Sequence, residues 1–186
     1  MEVDTLVNRA KAGDAEAFGA LYDLYAERVY RFVVVRVPQP ADGEDILQQV
    51  FLKVIEALPR YEQRGLPFGA WLFRIARNTV IDFGRTRRVA EPLGDEAGRK
   101  VDPLDPGLVI EQRADLDEIR AALDELTSEQ RDVIVFRFFA ELSHAEIGAI
   151  LGKREGTVRV IQHRALEALR RRIGEPVRLD VVTDER

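Results

Sequence analysis

The stretch LSHAEIGAILGKREGTVRVIQHRALEAL, residues 142–169, limits the possible folds more than any other part of this chain. Ser143 precedes Glu146 by three residues, the spacing at which each side chain closes onto the other's backbone and opens a helix. Ile147, Gly148 and Leu151 then mark a short helix, and Gly152 suits the left-handed conformation that ends one. KREG makes a short turn. From Thr157 a second helix runs with Val158, Ile161, Ala165 and Leu169 on its apolar side. Two helices joined by a short glycine-containing turn, with small Gly148 at the crossing, fit a helix-turn-helix.

On this reading the second helix turns Arg159, Gln162, His163 and Arg164 outward. Arg and Gln can make paired hydrogen bonds to base edges in a major groove. Lys153, Arg154, Arg170, Arg171 and Arg172 suit phosphates. A helical hairpin with a solvated charged face is the competing interpretation of the same pattern. His144 and His163 are the only histidines, and neither has a catalytic or metal-binding partner in the motif. No catalytic, metal or cofactor residue is expected.

The remaining segments also read as helices, so the expected fold is all-α. Asp14 can cap a helix that Pro38 stops. Asp42 opens GEDILQQVFLKVIEAL, whose stripe is Ile46, Leu47, Val50, Val54 and Leu58, and Pro59 ends it. FGAWLFRIARNTVIDFGRTRR follows as a long helix with Phe68, Leu72, Ile75, Thr79 and Phe83 inward. ADLDEIRAALDEL is amphipathic, and Thr127 with Gln130 forms a second capping box. Between these blocks, residues 90–113 carry three prolines, three glycines and scattered acids, the composition of a linker. The expected division is a first domain at 1–89, a linker at 90–113, a helix-turn-helix domain at 114–174 and a tail at 175–186.

Net charge is −5, which conceals two basic regions. One is 153–172. The other is 60–88, where Arg60, Arg64, Arg74, Arg77, Arg85, Arg87 and Arg88 interleave with Tyr61, Phe68, Trp71, Phe73 and Phe83. Trp71, Arg74, Asn78 and Arg85 recur at helical spacing on one face. Arginines, an aromatic and an amide suit unstacked single-stranded bases. Phe73 and Phe83 read as core. Trp71 reads equally well as core or as a stacking residue. The chain has no cysteine, which excludes disulfides, and no apolar run approaches a membrane span, so a cytoplasmic protein is expected.

DGEDILQQVFLKVIEAL, FGAWLFRIARNTVIDFGRTRR and LSHAEIGAILGKREGTVRVIQHRALEAL together resemble, in order and spacing, the extracytoplasmic-function (ECF) group of bacterial sigma factors. The resemblance covers about residues 10–175. It implies a protein that binds core RNA polymerase, at the clamp helices of the largest subunit and the flap region, and directs it to promoter DNA. It also allows an anti-sigma partner. The positions implied for polymerase docking are Asp42, Glu44, Asp45, Gln48, Gln49 and Phe51, with Gln49 standing where the family usually has an acid. The loop from Arg60 to Pro67, with Tyr61 and Arg64, is implied to capture a flipped −10 base. Trp71, Arg74, Arg77 and Asn78 match the −10 recognition and melting helix, which Arg85 and Arg88 extend. Residues 127–172 match the −35 reader, with Lys153, Arg154, Thr157 and Arg171 beside the base-facing Arg159, Val160, Gln162, His163 and Arg164. Val160-Ile161-Gln162 and Lys153 depart from the usual residues there.

An extended linker of this length reaches at most about 80 Å. Promoter elements some 17 base pairs apart lie roughly 60 Å from each other. The linker can reach but cannot set the spacing, so a rigid scaffold is needed. A stand-alone helix-turn-helix repressor is the alternative function, and it leaves the basic aromatic region at 60–88 without a task.

Overall fold

The computed structural model describes residues 2–63, 66–90 and 106–173; among these, side chains are described for all except 88–90, 106–114 and 172–173. The first half contains α1 (Val3–Lys11), α2 (Ala15–Val34), α3 (Pro40–Ala57) and α4 (Phe68–Ala90). The second contains α5 (Pro106–Asp124), α6 (Ser128–Phe138), α7 (His144–Leu151) and α8 (Glu155–Ile173). Asp14 caps α2 by accepting from the amides of Glu16 and Ala17. Both capping boxes form, at Thr127–Gln130 and at Ser143–Glu146.

Two expected boundaries move. Helix α3 begins at Pro40 with Gln39 as its cap residue, so Asp42 lies in its first turn. Proline is favoured there because its missing N–H has no helical partner in any case. Helix α5 likewise begins at Pro106, so residues 106–113 of the expected linker are helical. The rest of that linker, from 91 to 105, and the tail from 174 onward lie outside the described residues.

In the first half, Val29, Val33, Ile46, Val50, Val54, Leu72 and Phe73 are fully buried. Thr79, on the expected inward stripe, is also buried; its hydroxyl donates to the Ile75 carbonyl and accepts from Lys53. In the second half, Val133, Phe136, Leu142, Ile147, Val158 and Ala165 form the interior.

The two interiors are continuous. The Phe32 ring on α2 stacks on Phe136 of α6, centroids 5.0 Å apart, and meets Phe73 of α4 edge-on. Around this contact Arg28 donates to the Ala140 carbonyl, and Arg31 pairs with Glu141 at 2.7 Å. Arg120 of α5 donates to the Val34 and Pro38 carbonyls. Helix α7 rests against α4. The pattern of apolar residues assigns each helix a buried side, but the halves meet through side chains far apart in sequence.

Candidate polymerase and nucleic-acid interfaces

Helix α3 buries Ile46, Val50, Phe51 and Val54 against its neighbours. Its opposite side exposes Glu44, Asp45, Gln48 and Gln49. Two of the six implied docking residues are not exposed on that surface. Phe51 is buried, its ring against Tyr22 at 4.6 Å and Phe18 at 6.3 Å, because it falls on the apolar stripe. Asp42 is bound to Arg87 of α4 at 3.0 Å. In their place the surface offers Leu52 and Ile55, 60% and 50% exposed. Sequence reading missed both. Their signal was an apolar pair three apart, outside the stripe that fills the core.

The 60–88 region divides in the same way. Arg60, Arg74, Asn78 and Arg85 are exposed. Trp71 is core: only 8% exposed, it packs on Tyr61 at 4.7 Å and Phe68 at 5.7 Å. Tyr61 is buried too; its hydroxyl donates to the Leu66 carbonyl, while Lys11 donates to its backbone carbonyl. The loop after α3 is thus closed over α4 by an aromatic cluster, and neither ring is available to stack on a base in this conformation. Arg77 is half-buried and bound to Asp132 of α6 at 2.7 Å. Arg64 and the Arg88 side chain lie outside the described residues.

Asp132 is the polar centre of the contact between halves. Its Oδ1 accepts from Arg36 at 2.6 Å and its Oδ2 from Arg77 at 2.8 Å. Arg36 lies over the Phe32 ring at 4.5 Å. Burial pulls its guanidinium below the ordinary arginine value, and Asp132 opposes that shift. Removing one partner of a buried ion pair costs about 3–5 kcal/mol, because the other charge is left without solvent or a counter-ion. Sequence reading passed over both residues. The clue lay in FVVVRV, an apolar run interrupted by Arg36, and in RDVIVF, where Asp132 directly adjoins an apolar run. A charge inside a buried run needs a partner, but the run does not say which.

Beside this pair lies a cleft of about 640 Å³ between the halves, lined in part by Arg77, Arg85, Arg120, Arg131 and Asp132. Three of these arginines have acidic partners: Asp132 for Arg77, Asp117 for Arg120 and Asp124 for Arg131.

The helix-turn-helix forms as its sequence requires. Gly152 adopts φ 67°, and a Cβ on Gly148 would sit 2.6 Å from the Lys153 carbonyl oxygen. Val158, Ile161 and Ala165 seat α8 on the interior. Arg154, Thr157, Arg159, Val160, His163, Arg164 and Arg171 are exposed. Arg159 is held by Glu155 one turn earlier, a surface pair that DNA can displace at small cost. Lys153 pairs with Glu129, so its charge is partly satisfied within the fold. Gln162 does not join the outward face. Its Oε1 accepts from His144 Nε2 at 2.6 Å, because its position on α8 faces α7. Among the described residues there is no cluster of His, Cys, Asp or Glu suited to a metal, and no helix long and apolar enough to cross a membrane.

An all-α chain with a helix-turn-helix at one end and a basic helix in the other half defines a DNA-directed binding protein. Comparison with known proteins narrows this. The model for sigma-70 region 2 matches residues 21–89, and that for sigma-70 region 4 matches residues 122–171. The ECF RNA polymerase sigma factor SigX of Bacillus subtilis is 34% identical over 176 residues, covering 91% of this chain and 90% of that protein. The ECF RNA polymerase sigma factor BldN of Streptomyces coelicolor is 36% identical over 181 residues, covering 93% of this chain and 66% of that protein. A solved structure of CnrH in complex with the cytosolic domain of CnrY superposes with a TM-score of 0.74 at 26% identity, over 93% of this chain and 98% of that one. The chain belongs to the ECF group of RNA polymerase sigma factors. A sigma factor directs promoter-specific transcription, and the resemblance seen in the sequence is correct at the level of the family.

Proposed function

We propose that this chain docks on core RNA polymerase through the exposed side of α3 and guides it to promoters with two separate readers. Glu44, Asp45, Gln48 and Gln49 supply the polar part of docking, and Leu52 and Ile55 the apolar part. Arg159, Val160, His163 and Arg164 on α8 read the −35 element, while Arg154 and Arg171 hold phosphates. Arg74, Asn78 and Arg85 on α4, joined by Arg77 once it leaves Asp132, engage the −10 element as it opens. Residues 1–89 and 114–174 are the two working domains.

The observation that carries this reading is the separation of three exposed surfaces on α3, α4 and α8, each on a rigid helix whose other side is core. The protein acts in the cytoplasm and performs no catalysis of its own. An anti-sigma protein is a further partner, as the pairing of CnrH with CnrY illustrates for a related fold. Run-off transcription on genomic fragments, with core polymerase and with or without this chain, tests the proposal. Promoter-specific transcripts that need both components support it. Tight operator binding by the chain alone, with no effect on polymerase, would replace it with a repressor.

A further inference from the structure

On the −35 role proposed for α8, we infer that Val160 makes this chain select thymine, its methyls packing on the 5-methyl group of a T·A pair in the major groove. Among the described residues of α8, Val160 is the one large apolar side chain that is exposed, at 48%. Val158, Ile161 and Ala165 are buried, and Leu166, Ala168 and Leu169 pack against the core. Val160 belongs to neither group.

Gly156, Val160 and His163 recur at steps of four and three, so they form one strip down the side of α8 that faces away from Val158, Ile161 and Ala165. Arg159 borders the strip on one side, Thr157 and Arg164 on the other, and all three are exposed. His163 turns toward Glu167, at 3.5 Å, which leaves Val160 at the centre. The strip begins in the first turns of α8, the part of a recognition helix that meets base edges. A Cβ on Gly156 would touch nothing within 4 Å, so packing within the fold does not call for glycine there. Its bare backbone lets this end of the helix sit deeper, which brings Val160 to the floor of the groove.

The chemistry of the groove narrows the choice of base. Guanine, adenine and cytosine present hydrogen-bonding groups there, and thymine alone adds a methyl. Valine can bond none of the polar groups, and seating it against one strips water from a donor or acceptor that then stays unpaired. Against the thymine methyl it takes apolar surface of both partners out of water. Valine is also stiff at χ1 in a helix, so its methyls are held in place before binding. Arg159 beside it can still take a guanine, which sets polar and apolar reading side by side on one helix.

Removing that single methyl from the DNA makes the test direct. Core polymerase carrying the full chain is titrated on a duplex promoter that it transcribes, in the cold so that the strands stay paired. Each thymine of the −35 element, on either strand, is replaced in turn by deoxyuridine, which pairs alike and lacks only the methyl. Binding is expected to fall about fourfold at one pair or two adjacent pairs, the ratio for taking one methyl out of an apolar contact. Val160→Ser should bind the unmodified promoter about fourfold or more weakly and be indifferent to deoxyuridine at those pairs. Val160→Thr keeps the branch and one methyl, so it should retain part of the deoxyuridine effect.

A scrambled −35 element separates the thymine contact from the role of α8 itself. If scrambling weakens binding but no deoxyuridine does, α8 reads the −35 element without Val160 and the thymine contact is overturned. A deoxyuridine effect that persists in full in Val160→Ser assigns the methyl to another residue and overturns it equally. Scrambling without effect removes the −35 role of α8, and the thymine contact with it.

Discussion

Helices α4 and α8 are both basic, yet they stand in opposite conditions. On α8 the arginines whose side chains are described are at the surface, and the pair of Arg159 with Glu155 is of a kind that contributes little. On α4 the aromatic is core, Arg77 is taken by Asp132, and the loop before the helix is tied down through Tyr61. The difference teaches that a basic helix is not a DNA surface until its other commitments are counted. A duplex reader can be built complete, because the major groove presents its code without being opened. A reader of opened strands can be held in reserve.

The largest effect that sharpens this contrast is expected at Trp71. Trp71→Ala should cost about 3–5 kcal/mol of stability, the usual penalty for deleting a buried large aromatic. Urea denaturation measures it. A loss well under 1 kcal/mol would show the indole to be surface-placed and would restore its candidacy as a stacking residue.

Gly148→Ala should come next. The new Cβ would meet the Lys153 carbonyl oxygen at 2.6 Å, and that backbone cannot give way without moving the turn into α8. Overpacking of this kind costs about 1–3 kcal/mol. Binding of −35 duplex should fall for all sequences alike, because the whole recognition helix shifts. Thermal denaturation and duplex titration read the two outcomes separately.

Arg159→Ala should leave stability almost unchanged and cost up to about 1–3 kcal/mol at one −35 base pair if the guanidinium makes a bidentate base contact. Arg171→Ala should instead weaken every duplex and reduce the salt slope by about one. Equal losses across all base substitutions for both variants would move base reading elsewhere on α8.

The smallest effect is a control away from both readers. Asp14 caps α2, and its carboxyl is held below the ordinary value by the Ala17 amide first and by Arg9 second. A depressed folded-state value means that its contribution is present above about pH 3.8 and is lost as pH falls through the lower folded value. The difference in Tm between wild type and Asp14→Ala should therefore be constant near neutrality and shrink in acid. A difference that stays unchanged down to pH 2 would assign the cap no charge-dependent role.

Much of this was legible in the sequence because its causes are local. Ser143 with Glu146 and Thr127 with Gln130 form boxes between residues one helical turn apart, and Gly152 needs no distant partner to be left-handed. The stripe of Ile46, Val50 and Val54 identifies the buried side of α3, and by subtraction the side that polymerase would meet. The same logic places Phe51 on the buried side once its spacing is followed, and the likeness to a family drew it outward. Gln162 shows the limit of a helical wheel: a residue at the edge of the outward face turned instead to His144 on the neighbouring helix.

The sequence by itself determined the helices, their caps and the two basic regions, since each depends on residues within a few positions of one another. Only the tertiary structure decided that Arg36 and Arg77 share Asp132 across 96 and 55 residues, and that Phe32 meets Phe136. Ion pairs and ring contacts of that kind depend on how two apolar surfaces come together. Periodicity says that a surface is apolar, but not which other surface it meets.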